Sequence, residues 1–129
     1  MKFIGKHLIL EFRDVSPDVL NDADIIKKIL LKAARKIRAT VVRAQFCKFE
    51  PQGVSGILFI AESHISVHTW PELGMAAVDI FTCGPKDPKN AANVIVEGFG
   101  GASNVFEIQR LSIPDGVKVN DSKKISMVL

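Results

Sequence analysis

The stretch Val54–Thr82, VSGILFIAESHISVHTWPELGMAAVDIFT, decides how this chain folds. Val54 to Ala61 is a nearly unbroken apolar run of strand length, which reads as a strand buried on both faces. Ile65 to Trp70 alternates apolar and polar residues and reads as the next strand. Pro71-Glu72-Leu73-Gly74 turns the chain, and Met75 to Thr82 returns as a further strand. A turn centred near Glu72 and Leu73 sets an antiparallel register with His68 opposite Ala77. The same register places Cys83 opposite Glu62, beside Ser63. Local geometry alone therefore brings a hydroxyl and a thiol close together.

Working outward, Thr40 to Phe49 is rich in β-branched and aromatic residues and forms a strand, closed by the turn Glu50-Pro51-Gln52-Gly53. Phe3 to Phe12 reads as the first strand. Between these two, Ser16-Pro17 and Asn21-Asp22 are helix starts, with Asp22 and Asp24 suited to the positive end of the dipole. Ile26, Leu30, Ala33, Ala34 and Ile37 then recur at helical spacing, which predicts an amphipathic helix lying on an apolar surface. Downstream, Asp87-Pro88 opens a second helix through Ala91, Val94 and Ile95 that stops near Gly98-Phe99-Gly100-Gly101. Asn104 to Ser112 is the last strand.

The order β-α-β-β-β-β-α-β predicts an α+β fold. It is a two-layer sandwich, a mainly antiparallel sheet with helices on one face. The two halves are roughly mirror-ordered. Helices on one face leave a second face to cover, and a homodimer packing there is the natural solution. The 129 residues fit one domain. The tail beyond about Asp115 reads as loose, with the polar, basic segment Lys118 to Lys124.

The bulk properties exclude several function classes. A hydrophobic fraction of 47% is too high for a disordered chain. Seventeen basic and 14 acidic residues leave a net charge of only +3. The basic residues Lys27, Lys28, Lys32, Arg35, Lys36 and Arg38 fall on one helix as a solvated face, so no nucleic-acid partner is expected. Cys47, Cys83 and the three histidines have no metal-ligand spacing, and no metal is expected. The longest apolar run is far too short to span a bilayer, and the N-terminus does not read as a signal peptide. No membrane partner is expected, and a cytoplasmic location is.

Glu62, Ser63, His64, Ser66 and His68 crowd polar groups between two apolar strands. Local rule-breaking of this kind marks a functional site. Ser63 and His68 have opposite strand parity. If both act in one site, the chain must bend or bulge near residues 62 to 64. No Gly-x-Ser-x-Gly elbow is present, and no Gly-rich loop precedes a helix. Hydrolase and nucleotide-binding readings therefore lack support.

Three ordered blocks carry a resemblance. They are Gly53-Val54-Ser55-Gly56, Glu62-Ser63-His64-Ile65-Ser66-Val67-His68-Thr69-Trp70-Pro71-Glu72, and Ala77-Val78-Asp79-Ile80-Phe81-Thr82-Cys83-Gly84. With Gly5-Lys6-His7-Leu8, and over the chain to about Gly116, they closely resemble the prokaryotic S-adenosylmethionine decarboxylase proenzymes.

The resemblance implies that the chain cuts itself between Glu62 and Ser63, giving residues 1–62 and 63–129. It implies a covalent pyruvoyl cofactor made from Ser63, forming a Schiff base with the substrate, with no pyridoxal phosphate. It assigns His68 as the base of the processing step, Cys83 as the proton donor of decarboxylation, and Ser55 as a hydrogen-bonding support. Phe49 would lie near adenine, and Glu72 would hold ribose hydroxyls. The substrate would be S-adenosylmethionine, decarboxylated for polyamine synthesis by a homodimer. Two positions depart from the family pattern: Cys47, where relatives carry His, and Met75, where an aromatic is frequent. The processing motif alone also admits arginine or ornithine as substrate, and a non-catalytic interaction protein is the reading from another class.

Overall fold

The computed structural model describes residues 2–118. Strand β1 (Lys2–Arg13) leads into α1 (Pro17–Leu20) and α2 (Ala23–Lys36). Four strands follow: β2 (Thr40–Lys48), β3 (Val54–Ala61), β4 (Ser63–Trp70) and β5 (Met75–Cys83). Helix α3 (Pro88–Phe99) and strand β6 (Ala102–Ile113) complete the order. All but Lys118 of the basic tail segment lies outside the described residues.

Sequence punctuation sets the helix boundaries. The Asp22 carboxylate accepts hydrogen bonds from the N–H groups of Asp24 (3.0 Å) and Ile25 (3.1 Å), satisfying two otherwise orphaned donors at the start of α2. Asp87 caps α3 through the Lys89 N–H at 3.0 Å, and Pro88 occupies the first turn, where its missing donor costs nothing. Gly100 ends α3 with φ of 66°.

The six strands form one sheet in the order β2-β3-β4-β5-β1-β6, with every neighbouring pair antiparallel. The β4–β5 hairpin has the register read from the sequence, with His68 opposite Ala77 and Trp70 opposite Met75. A 3-10 turn at Pro71–Leu73, followed by left-handed Gly74, makes the connection.

The core lies between the sheet and its helices. Leu8, Leu10, Leu58, Ile65, Val67 and Ile80 from the strands meet Ile26, Leu30, Ala33, Ala91 and Ile95 from α2 and α3, all buried. Buried Thr69 is satisfied twice. It donates to the Leu20 carbonyl (2.7 Å) and accepts from the Val54 N–H (2.9 Å), which fastens α1 to the sheet.

The expectation that β3 is buried on both faces is corrected. Val54, Gly56, Leu58 and Ile60 are buried, but Phe59 is 45% exposed. The helices cover only one face, so the unbroken apolar run reflects a second apolar face that a single chain leaves open. Phe106 (54% exposed) and Ile108 (43% exposed) lie opposite Ile9 and His7 on that face.

Candidate active site

Antiparallel pairing lays the open face out in rows that cross the sheet. One row is Ser55-His68-Ala77-Glu11, the next Ile57-Ser66-Asp79-Ile9, the next Phe59-His64-Phe81-His7, and the last Cys83-Gly5-Arg110. Neighbouring rows are two residues, about 7 Å, apart along the strands.

Ser63 opens β4 after the tight turn at Ala61 and Glu62, whose connecting peptide bond is cis. Its Oγ lies 3.7 Å from Sγ of Cys83, the last residue of β5. The register explains the meeting: Cys83 stands two positions beyond Phe81, the last β5 residue paired with β4, where the hairpin turn delivers Ser63. Gly5 on β1 faces Cys83, and a side chain there would crowd Phe81. A Cβ there would fall 2.5 Å from Cε1 of Phe81.

A second pair sits at the other end of the same strands. Ser55 Oγ and His68 Nδ1 are 2.7 Å apart and lie directly opposite each other in the β3–β4 ladder. Cys47, exposed, faces Ser55 from β2. Phe49 and Glu72, both exposed, lie in the connections at this end of the sheet. The Gly53 N–H donates to Asn21 Oδ1 at 3.0 Å, and the Phe49 N–H donates to the Gly53 carbonyl at 2.8 Å. These bonds hold the loop that carries Phe49.

Sequence reasoning placed a bend or bulge near residues 62 to 64, and the chain does turn there, at Ala61 and Glu62, but this turn does not bring Ser63 and His68 together. The turn comes just before Ser63. From Ser63 to His68 the ladder with β3 runs without a register shift. The two are five positions apart on the strand, about 17 Å. One chain thus holds two separate clusters, Ser63–Cys83 with Glu62 at one end and Ser55–His68 with Phe49 and Glu72 at the other.

Between them lies a polar network that sequence reasoning missed. Asp79 Oδ2 accepts from Nε2 of His7 (2.6 Å) and Nε2 of His64 (2.7 Å), and Oδ1 accepts from Ser66 Oγ. Arg110 Nη1 donates to His7 Nδ1 at 3.0 Å, and its guanidinium lies 5.4 Å from the centre of the Phe81 ring. Burial pushes the Asp79 carboxyl up, but the hydrogen bonds from Ser66, His64 and His7 outweigh it and hold the group below its ordinary range. The register already contained one signal, because Ser66 and Asp79 fall opposite each other in the hairpin. His7 carried none, since it reaches Asp79 from β1, 72 residues away. The donor atoms of His7, His64 and Asp79 lie within 4.8 Å of one another, a spacing a metal could also use.

Fold and site together define a class: a single-sheet α+β sandwich with a hydroxyl–thiol pair at one sheet end and a hydroxyl–imidazole pair at the other. Comparison with known proteins narrows it. The S-adenosylmethionine decarboxylase family model matches residues 6–111. The S-adenosylmethionine decarboxylase proenzyme of Pyrococcus abyssi is 49% identical over 112 residues, 85% of this chain and 81% of that protein. That of Thermodesulfovibrio yellowstonii is 47% identical over 100 residues, 77% of this chain and 74% of that protein. The crystal structure of the Aquifex aeolicus adenosylmethionine decarboxylase superposes with a TM-score of 0.85 at 28% identity. The match covers 92% of this chain and all of that one. The chain belongs to the S-adenosylmethionine decarboxylase family.

Proposed function

We propose that the chain is a proenzyme that cuts itself between Glu62 and Ser63 and then decarboxylates S-adenosylmethionine as a homodimer. The observation that carries this reading is the Ser63–Cys83 contact, a hydroxyl at a hairpin turn beside a thiol, in a chain of this family.

The Ser63 hydroxyl adds to the Glu62 carbonyl, and the amide nitrogen leaves, so an ester replaces the peptide bond. A base then takes the α proton of residue 63, and the Cβ–Oγ bond breaks to leave Glu62 as a carboxylate. Water adds, ammonia departs, and the chain 63–129 begins with a ketone. That pyruvoyl group supplies a carbonyl that takes up the substrate's amine and accepts the electrons of the breaking bond to carbon dioxide. Cys83 returns a proton to the substrate carbon. No pyridoxal phosphate and no metal take part.

The base of the elimination is His68, with Ser55 holding the ester oxygen. Both lie too far from Ser63 within one chain. The open apolar face supplies the remedy, because a second copy packed on it face to face brings its own Ser55–His68 pair to Ser63 and Cys83. Phe49 and Glu72 would travel with that pair. An aromatic face suits a sulfonium substrate, and a carboxylate suits ribose hydroxyls. Among the described residues no helix is long and apolar enough to cross a membrane. We place the enzyme in the cytoplasm.

Intact-mass analysis and parallel carbon dioxide release assays test this. Fragments 1–62 and 63–129, the second lacking its amino group, are the expected products, and release is expected with S-adenosylmethionine. Release with arginine or ornithine instead would reassign the substrate. A chain that stays whole after long incubation would end the reading.

A further inference from the structure

The network around Asp79 is used by none of the steps above, yet its hydrogen bonds admit one proton arrangement. A guanidinium can only donate, so Nδ1 of His7 accepts from Arg110 and carries no proton. The His7 proton therefore sits on Nε2 and is donated to Asp79 Oδ2. His64 Nε2 donates to the same oxygen, and Ser66 donates to the other. The chain Arg110–His7–Asp79–His64 links four strands, β6, β1, β5 and β4, through one carboxylate.

Its last member is the residue directly after Ser63. Phe81 packs against both imidazoles, with ring centres 5.3 Å from His7 and 6.1 Å from His64, and lies two residues before Cys83 on the same face. The network therefore grips both strands that carry the Ser63–Cys83 pair. A cation at the three donors fits poorly. Metal-bound histidines usually donate their second nitrogen to a carboxylate or carbonyl, whereas His7 has a guanidinium behind it.

We propose that Asp79 is the positioning residue of the processing step. It clamps His64 and Ser66 of β4 against β5, so that the Ser63 hydroxyl stays beside Cys83 and is aimed at the Glu62 carbonyl. His7 and Arg110 fix the orientation of the clamp from behind. This rests on the self-cleavage reading above.

The test follows first-order cleavage of freshly purified, uncut precursor by intact mass, in the parent and four variants. Asp79→Asn, which turns one acceptor into a donor, is expected to slow cleavage about 10- to 100-fold, as small misplacements of reacting groups do. His64→Phe keeps a ring but loses the donor, and is expected to be as slow. His64→Gln restores an N–H at similar reach and is expected to cleave within about threefold of the parent, a recovery that ring packing alone does not produce. His64→Phe cleaving at the parent rate, or His64→Gln no faster than His64→Phe, overturns the assignment. A parent that never cleaves overturns the self-cleavage reading and takes this one with it. A parent that cleaves alongside unaffected variants overturns this one alone. Chelator and added zinc are expected to leave the parent rate unchanged. Zinc-dependent cleavage lost in His7→Gln would make the cluster a cation site instead.

Discussion

If each active site is assembled from two copies, two dead variants should repair each other. Take one chain with Ser63→Ala, which keeps Ser55 and His68 but has no nucleophile. Take another with His68→Ala, which keeps Ser63 and Cys83 but has no base. Ser63 and His68 are five residues apart on a strand with an unbroken ladder, about 17 Å at the rise of a β-strand. No rotamer closes that gap. A two-fold axis that brings the Ser63–Cys83 pair of one copy to the Ser55–His68 pair of the other must pass midway, across the rows of Phe59 and Ile57. One site of a mixed dimer then carries both lesions and the other carries none. Random assembly of equal amounts makes about half the dimers mixed, so about one quarter of all sites are intact. The assay is co-folding of the two chains with distinguishable tags, followed by intact mass and carbon dioxide release. Only the His68→Ala chain should be cut, and activity should approach about a quarter of the parent's. No cleavage in the mixture, with mixed dimers shown to be present, would refute the two-copy site. So would cleavage by either variant alone.

Three further outcomes follow from the geometry. Cys83→Ala should still be cut but decarboxylate at least about 100-fold more slowly per cut chain, the usual scale for loss of a positioned acid; turnover equal to the parent's would remove the thiol from the mechanism. Asp79→Asn should lose about 1–3 kcal/mol of stability at neutral pH, because three donors lose their carboxylate. Asp79 is held below its ordinary value, so its contribution is present above that value and fades as pH falls through the lowered one. Denaturant midpoints of parent and variant should therefore converge below about pH 4, and a constant gap there would contradict the cause assigned. Phe106→Lys, on the open face and 54% exposed, should leave circular dichroism unchanged but yield monomers in sedimentation that fail to cleave; a cleaving monomer would contradict the role of this face.

The fold was legible because its decisive segments obey period rules. Val54 to Ala61 and Met75 to Thr82 read as strands. Asp22 and Asp87-Pro88 mark helix starts through bonds that the structure then contains. The hairpin register was also legible, since it depends on one short turn, and it placed Cys83 beside Ser63. Periodicity could not separate burial on both faces from burial on one, because both fill a strand with apolar residues. Ile57 and Phe59 are apolar as the core is, yet they lie where the helices do not reach. The two-ended site was half legible. Parity set Ser63 and His68 on opposite faces of one strand and so pointed to a bend near residues 62 to 64, but it said nothing of the distance along β4 that keeps the two apart. The Asp79 network was hidden because His7 and Arg110 reach it through β1 and β6, whose pairings span most of the chain.

The strand order also bears on how a chain cut in its middle can remain an enzyme. Cleavage after Glu62 would leave β1, β2 and β3 on one fragment and β4, β5 and β6 on the other. In the sheet these alternate, because β1 lies between β5 and β6 while β3 pairs with β4. Separating the fragments would break three complete antiparallel ladders and expose core residues of both. The bond to be cut joins the two-residue turn Ala61–Glu62 to the first residue of β4, at the very end of the β3–β4 ladder. The His7–Asp79 bond also crosses between the fragments at 2.6 Å, so the network that orders the uncut turn would still hold β4 once its end is free. The place best suited to cleavage is therefore one where the sheet, and not chain continuity, keeps a reactive residue in position.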